Sequence, residues 1–244
     1  MLRRGAWLAV GLALVGCATA GGSPAATPIA TGAPATASPV MSDDPLRYVA
    51  LGDSYTIGTS VGIEERWPDQ LVAALGPEPP SLELVANLAV NGFTSADVIA
   101  VELPALDGLG PDFVTLLIGV NDVVQGVPEA TFRRNVVRIL DELVGRLGAR
   151  RVLVVTTPDY TVTPAGGDYG DPATQAAGIR RFNALLTELA ESRAIRVVDI
   201  HDLSLRAASD RSLVARDGLH PSGAQYALWV ERILPVVEDL LGRG

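Results

Sequence analysis

The chain has 244 residues with 19 basic against 28 acidic, a formal net charge of −9, and every basic residue is an arginine. That balance lacks the electrostatic footprint of a nucleic-acid binder and offers no attraction to anionic lipid surfaces. Cys17 is the only cysteine, which excludes a disulfide within one chain.

Met1-Leu2-Arg3-Arg4 is a short basic start, and residues 6–15 form an uncharged apolar run too short to span a bilayer. Together they read as a signal peptide over residues 1–17. The run ends in Leu14-Val15-Gly16-Cys17, which resembles the lipobox of bacterial lipoproteins. The resemblance implies lipid attachment at Cys17, with two acyl chains, enough for stable anchoring on the outer side of the membrane. The rival reading is cleavage at Ala18-Thr19-Ala20, which would release a secreted protein. Residues 18–45 are rich in Ala, Thr, Pro, Gly and Ser and cannot bury a core, so they read as a disordered tether. Residues 46–244 are left for one domain.

Within that domain, residues 46–51 are a short, mostly apolar stretch that reads as a buried strand. It breaks at Gly52-Asp53-Ser54 into a loop. Residues 67–76 read as a helix with Pro68 in its first turn and Gly76 at its end, and Trp67 is expected to pack the helix start. A second strand covers 82–87 and a helix runs from about 95 to 106. Residues 113–118 are the most apolar strand and are expected at the sheet centre. Helical spacing of Phe132, Val136, Ile139, Leu140 and Leu143 marks 128–147. A fourth strand covers 151–156. Residues 158–172 lack periodicity and read as a long loop. Residues 174–192 read as a helix, 195–199 as a fifth strand and 222–241 as a terminal helix. Five strands alternating with helices indicate an α/β fold: a three-layer α/β/α sandwich with a flavodoxin-like, five-stranded parallel sheet.

Ligands bind at the C-terminal edge of such sheets, and the candidate chemistry collects there. Ser54 follows strand one. Gly92 lies in the loop after strand two, where a bare backbone N–H can approach a substrate. Asn121 follows strand three and offers a side-chain amide, and the Ser54 N–H is a third donor for a developing oxyanion. Of two histidines, His220 sits in Asp217-Gly218-Leu219-His220-Pro221 ahead of the last helix. A carboxylate three residues before a histidine in a tight turn can reach its Nδ1 and fix the tautomer. His201-Asp202 could suggest a metal-dependent phosphohydrolase pair, but such a site needs further histidines, and His201 reads as an ordinary loop residue. Asp53 and Asp122 read as loop-bracing acceptors. Tyr160 and Tyr169 could shape a pocket or belong to a solvated loop.

Gly52-Asp53-Ser54-Tyr55 resembles the first block of the SGNH (GDSL-type) hydrolases. Asn87-Leu88-Ala89-Val90-Asn91-Gly92, Gly119-Val120-Asn121-Asp122 and Asp217-Gly218-Leu219-His220 are similar to the remaining three, in the family's order. The resemblance implies Ser54 as nucleophile, His220 as base, Asp217 as its orienting acid, and Ser54, Gly92 and Asn121 as the oxyanion hole. It implies no metal or other cofactor. Tyr55 stands where the family name has leucine, a departure not expected to touch a catalytic role. The expectation is a monomeric serine ester hydrolase acting through an acyl-enzyme on a small-molecule, glycan or lipid ester. An O-acyltransferase or deacetylase of envelope polysaccharide is one alternative. A non-catalytic binding lipoprotein is the other.

Overall fold

A computed structural model of the chain describes residues 44–243. The expected signal peptide, Cys17 and nearly all of the tether lie outside the described residues.

Five strands, β1 (Leu46–Gly52), β2 (Leu82–Asn87), β3 (Phe113–Leu117), β4 (Val152–Val155) and β5 (Arg196–Val198), form one sheet in the order β2-β1-β3-β4-β5, all parallel. This is the flavodoxin-like order, whose switch point lies between β1 and β3. Alternation along the strands explains the layers, because successive side chains point to opposite faces. Tyr48 and Ala50 of β1, Phe113 and Leu117 of β3, and Leu153 and Val155 of β4 belong to one buried cluster. Val49 and Leu51, Val114 and Leu116, and Val152 and Val154 belong to the other. Strands buried on both faces read as continuous apolar runs, and those runs are what the sequence shows.

The first cluster is closed by α2 (Trp67–Leu75) and α9 (Gly223–Leu241), whose Trp67, Tyr226, Trp229 and Ile233 are fully buried. The second is closed by α6 (Glu129–Leu147) and α7 (Pro172–Glu191), with Phe132 and Phe182 stacked at 4.2 Å. A full burial of each such side chain stabilises by about 1.5–3 kcal/mol relative to exposure. The helix expected from about 95 to 106 begins as α3 (Ser95–Asp97), passes through a π-helical turn (Val98–Glu102) and continues as α4 (Leu103–Leu109). Short helices α1 (Ser54–Ile57), α5 (Val120–Val124) and α8 (His201–Ser204) follow the C-terminal ends of β1, β3 and β5. None of the three is long enough to leave a periodic signal. The long loop after β4 is confirmed as irregular, but two 3₁₀ turns, Tyr160–Val162 and Gly166–Tyr169, give it shape. Tyr160 is buried, and Ala165 N–H donates to Gly218 O at 2.9 Å.

Candidate active site

The turn that carries Ser54 is made by its two predecessors. Gly52 adopts φ +150°, and a Cβ there would stand 2.3 Å from the Leu117 carbonyl oxygen and 2.7 Å from Thr56 Oγ1. Only glycine fits that crossing of strand ends. Asp53 then caps α1: its Oδ1 accepts the Tyr55 N–H at 3.0 Å. Ser54 is thereby the first helical residue, and its N–H, lying in the first turn, has no intrahelical acceptor. Asp53 is completely buried; burial pushes its carboxyl up against the pull of the Tyr55 N–H, and nearby Asp122 adds to the rise, to about 7.

The histidine turn is built differently. Val214 bridges to Pro221, and Ala215 N–H donates to His220 O at 2.8 Å, closing a small loop. Inside it, Asp217 Oδ1 accepts the N–H groups of Leu219 and His220 at 2.9 and 3.0 Å. Oδ2 lies 2.6 Å from His220 Nδ1 and accepts the Ser60 hydroxyl at 2.7 Å. Partial burial alone would raise the Asp217 carboxyl, but the Leu219 N–H, the Ser60 hydroxyl and His220 outweigh it and hold it at about 2. An ionised Asp217 favours a proton on Nδ1, the tautomer whose Nε2 lone pair is free. The Tyr55 ring packs on the imidazole with centroids 5.2 Å apart, tilted by 51°. Tyr55, which stands where the family name has leucine, therefore forms part of the imidazole's housing. Ser60, with φ +70°, and Tyr55 are contributors that local sequence did not disclose, because both contacts are made across the fold.

Ser54, Gly92, Asn121 and His220 line a single cavity of about 230 Å³, together with Tyr55, Asn91, Val120, Val124, Tyr160, Tyr169 and Leu219. The structure thus brings the expected residues of four separate loops to one sheet edge. Among the described residues no hydrogen bond joins the Ser54 hydroxyl to the imidazole, a looseness common in sites without substrate. Gly92 adopts φ +83° with open space beside it, leaving its backbone accessible from the cavity. The Asn121 amide is already engaged. Its Nδ2 donates to Phe93 O at 3.0 Å and to Asp53 Oδ2 at 3.3 Å, the second being the weaker hold. Asp122 braces the next loop by accepting both the N–H and the hydroxyl of Ser95, at 2.9 and 2.6 Å.

Tyr160 and Tyr169 meet edge-to-face at 5.8 Å and both line the cavity. His201 opens α8 and is not a loop residue; its Nε2 lies 3.7 Å from Asp159 Oδ2. Asp202 is held instead by both terminal nitrogens of Arg232, so the neighbouring pair points to different partners. Among the described residues no group of three or more His, Cys, Asp or Glu side chains is placed to hold a metal ion.

Residues 50–228 match the GDSL-like lipase/acylhydrolase family. An arylesterase of Vibrio mimicus is 25% identical over 177 residues, covering 72% of this chain and 80% of that protein. Among solved structures, TesA is similar with a TM-score of 0.63 at 22% identity, over 80% of this chain and 99% of its own. A variant of Axe2, an acetyl xylan esterase from Geobacillus stearothermophilus, follows at 0.62 and 19% identity, over 79% and 94%. The chain belongs to the GDSL-like lipase/acylhydrolase family and is a carboxylic ester hydrolase.

Proposed function

We propose that ester cleavage runs through an acyl-enzyme on Ser54. His220 Nε2 takes the hydroxyl proton as Ser54 Oγ attacks the carbonyl carbon, and Asp217 stabilises the imidazolium that forms. The oxyanion is received by the backbone N–H groups of Ser54 and Gly92 and by Asn121 Nδ2, which gives up its long contact to Asp53 while Phe93 O keeps it aimed. His220 returns the proton to the departing alcohol oxygen. It then draws a proton from water, which attacks the acyl carbonyl; the C–Oγ bond breaks, His220 returns that proton to Ser54 Oγ, and the acid is released. The observation that carries this reading is the 2.6 Å Asp217–His220 contact on the wall of the cavity that also holds Ser54, Gly92 and Asn121.

The cavity favours a small ester. At about 230 Å³ it falls below the roughly 300–1,000 Å³ that houses drug-sized ligands. Its apolar wall of Val120, Val124 and Leu219 suits a short acyl chain, and the tyrosine pair suits a planar alcohol part. The name of the Vibrio mimicus relative, an arylesterase, agrees with that choice. Hydrolysis of p-nitrophenyl esters from acetate to palmitate tests it. Acetate to butyrate should have the highest kcat/KM, with a steep fall beyond. A maximum at palmitate would contradict the substrate class proposed.

A further inference from the structure

Beneath the turn that presents Ser54 lies a carboxyl group with no part in the reaction scheme above. Glu102 is 1% exposed, its Oε2 accepts the Gly52 N–H at 3.0 Å, and its Oε1, equally buried, has no partner. The sheet explains the first contact. Pairing of β1 with β2 runs to Ala50 and Asn87, and Leu88 N–H still reaches Ala50 O at 2.9 Å. Two residues further, the same edge of β1 presents the Gly52 N–H, but β2 has ended. A buried backbone donor has to find an acceptor elsewhere, and Glu102 supplies it.

Two further observations set this residue apart from ordinary capping. Glu102 stands four residues from both Val98 and Leu106, core residues of the same helix, so a carboxyl occupies the apolar stripe, where burial is costly. It also closes the π-helical turn Val98–Glu102, a distortion that occurs often beside functional sites.

We propose that Glu102 is a positioning residue for ester cleavage: by holding the Gly52 N–H it fixes the strand-to-helix turn that aims the Ser54 hydroxyl and backbone N–H into the cavity. The inference rests on the reading of Ser54 as nucleophile. Glu102 does this as the neutral acid. Burial pushes its carboxyl up, the Gly52 N–H pulls it down, and Asp53 and Asp97 push it up again, to about 9. Those two carboxyls, one at the end of β1 and one on α3, are the charged groups that bear on it. Its helix neighbours Leu103 and Leu106, on α4, belong to the apolar cluster to which α6 contributes Phe132, Val136 and Ile139.

The test compares kcat and KM of Glu102→Ala, Glu102→Gln and Ser54→Ala on a short p-nitrophenyl ester from about pH 6 to about pH 10. In Glu102→Ala, kcat should fall by about 10²-fold with KM within about threefold, because the reacting group is misplaced while the cavity wall is untouched. Glu102→Gln has the shape of the neutral acid. It should recover most of the rate and lack the decline in kcat expected of the wild type as pH passes about 9. A folded Glu102→Ala with wild-type kcat would overturn the proposal, as would a glutamine variant as slow as the alanine one or with an unchanged alkaline limb. If the alanine variant does not fold, the glutamine pH profile decides alone. Activity surviving in Ser54→Ala would overturn both readings. Loss there beside wild-type kcat in Glu102→Ala would overturn only this one.

Discussion

The two halves of the site use the same functional group in opposite ways. On the base side, Asp217 lies in an exposed turn, receives two N–H groups and the Ser60 hydroxyl, and is held at about 2. On the nucleophile side, Asp53 and Glu102 are buried and pushed up to about 7 and about 9. Donors surround the first carboxyl; burial and like charge dominate the other two. The charge is kept beside the imidazole, weakened at Asp53 and suppressed at neutral pH on Glu102, which holds the backbone turn.

The comparison is broken most sharply on the charged side. Asp217→Asn keeps the size of the side chain but removes the charge and the preference for a proton on Nδ1, so kcat should fall by about 10⁴ with the fold intact. A loss under tenfold in steady-state hydrolysis would mean that the charge at Asp217 is not what the base needs. Between the halves sits Asn121, whose amide touches Asp53 in the structure and is proposed to turn to the oxyanion. Asn121→Ala should cost about 10²–10³ in kcat. Wild-type turnover in a folded variant would leave only the two backbone donors.

The smallest effect is expected on the suppressed side, and it concerns stability. Asp53 has a folded value of about 7 against an ordinary 3.8, so the unfolded chain gives up this proton first. Its contribution to stability therefore declines as pH rises from about 4 to about 7 and stays level above that. Asp53→Asn retains an acceptor for the Tyr55 N–H and should make that slope shallower, leaving the share of the other raised carboxyls. Urea midpoints measured across this pH range read it directly, and a slope identical to wild type would show that Asp53 is not the group responsible.

Much of this site could be read along the chain, for physical reasons. Strands buried on both faces leave apolar runs, glycine is forced at Gly52 by the Leu117 carbonyl, and a three-residue spacing lets Asp217 collect two N–H groups and the imidazole within one turn. What stayed hidden depends on contacts between distant segments. Tyr55 against His220 spans the whole domain, and so does Ser60 to Asp217. The Phe93 carbonyl that aims Asn121 belongs to backbone and has no residue signature. Glu102 did leave a trace, a carboxyl in step with Val98 and Leu106, but a helix read only for its apolar residues passes over it. His201 was misplaced because α8 is a single short turn, below the length at which periodicity speaks.

The most direct measurement is to let the enzyme react with an activated phosphonate ester, which stops at the covalent stage, and to locate the added mass by peptide mass spectrometry. One adduct per chain on Ser54, formed at a rate that collapses in His220→Ala, is the predicted result. Complete inactivation with Ser54 unmodified would contradict the account.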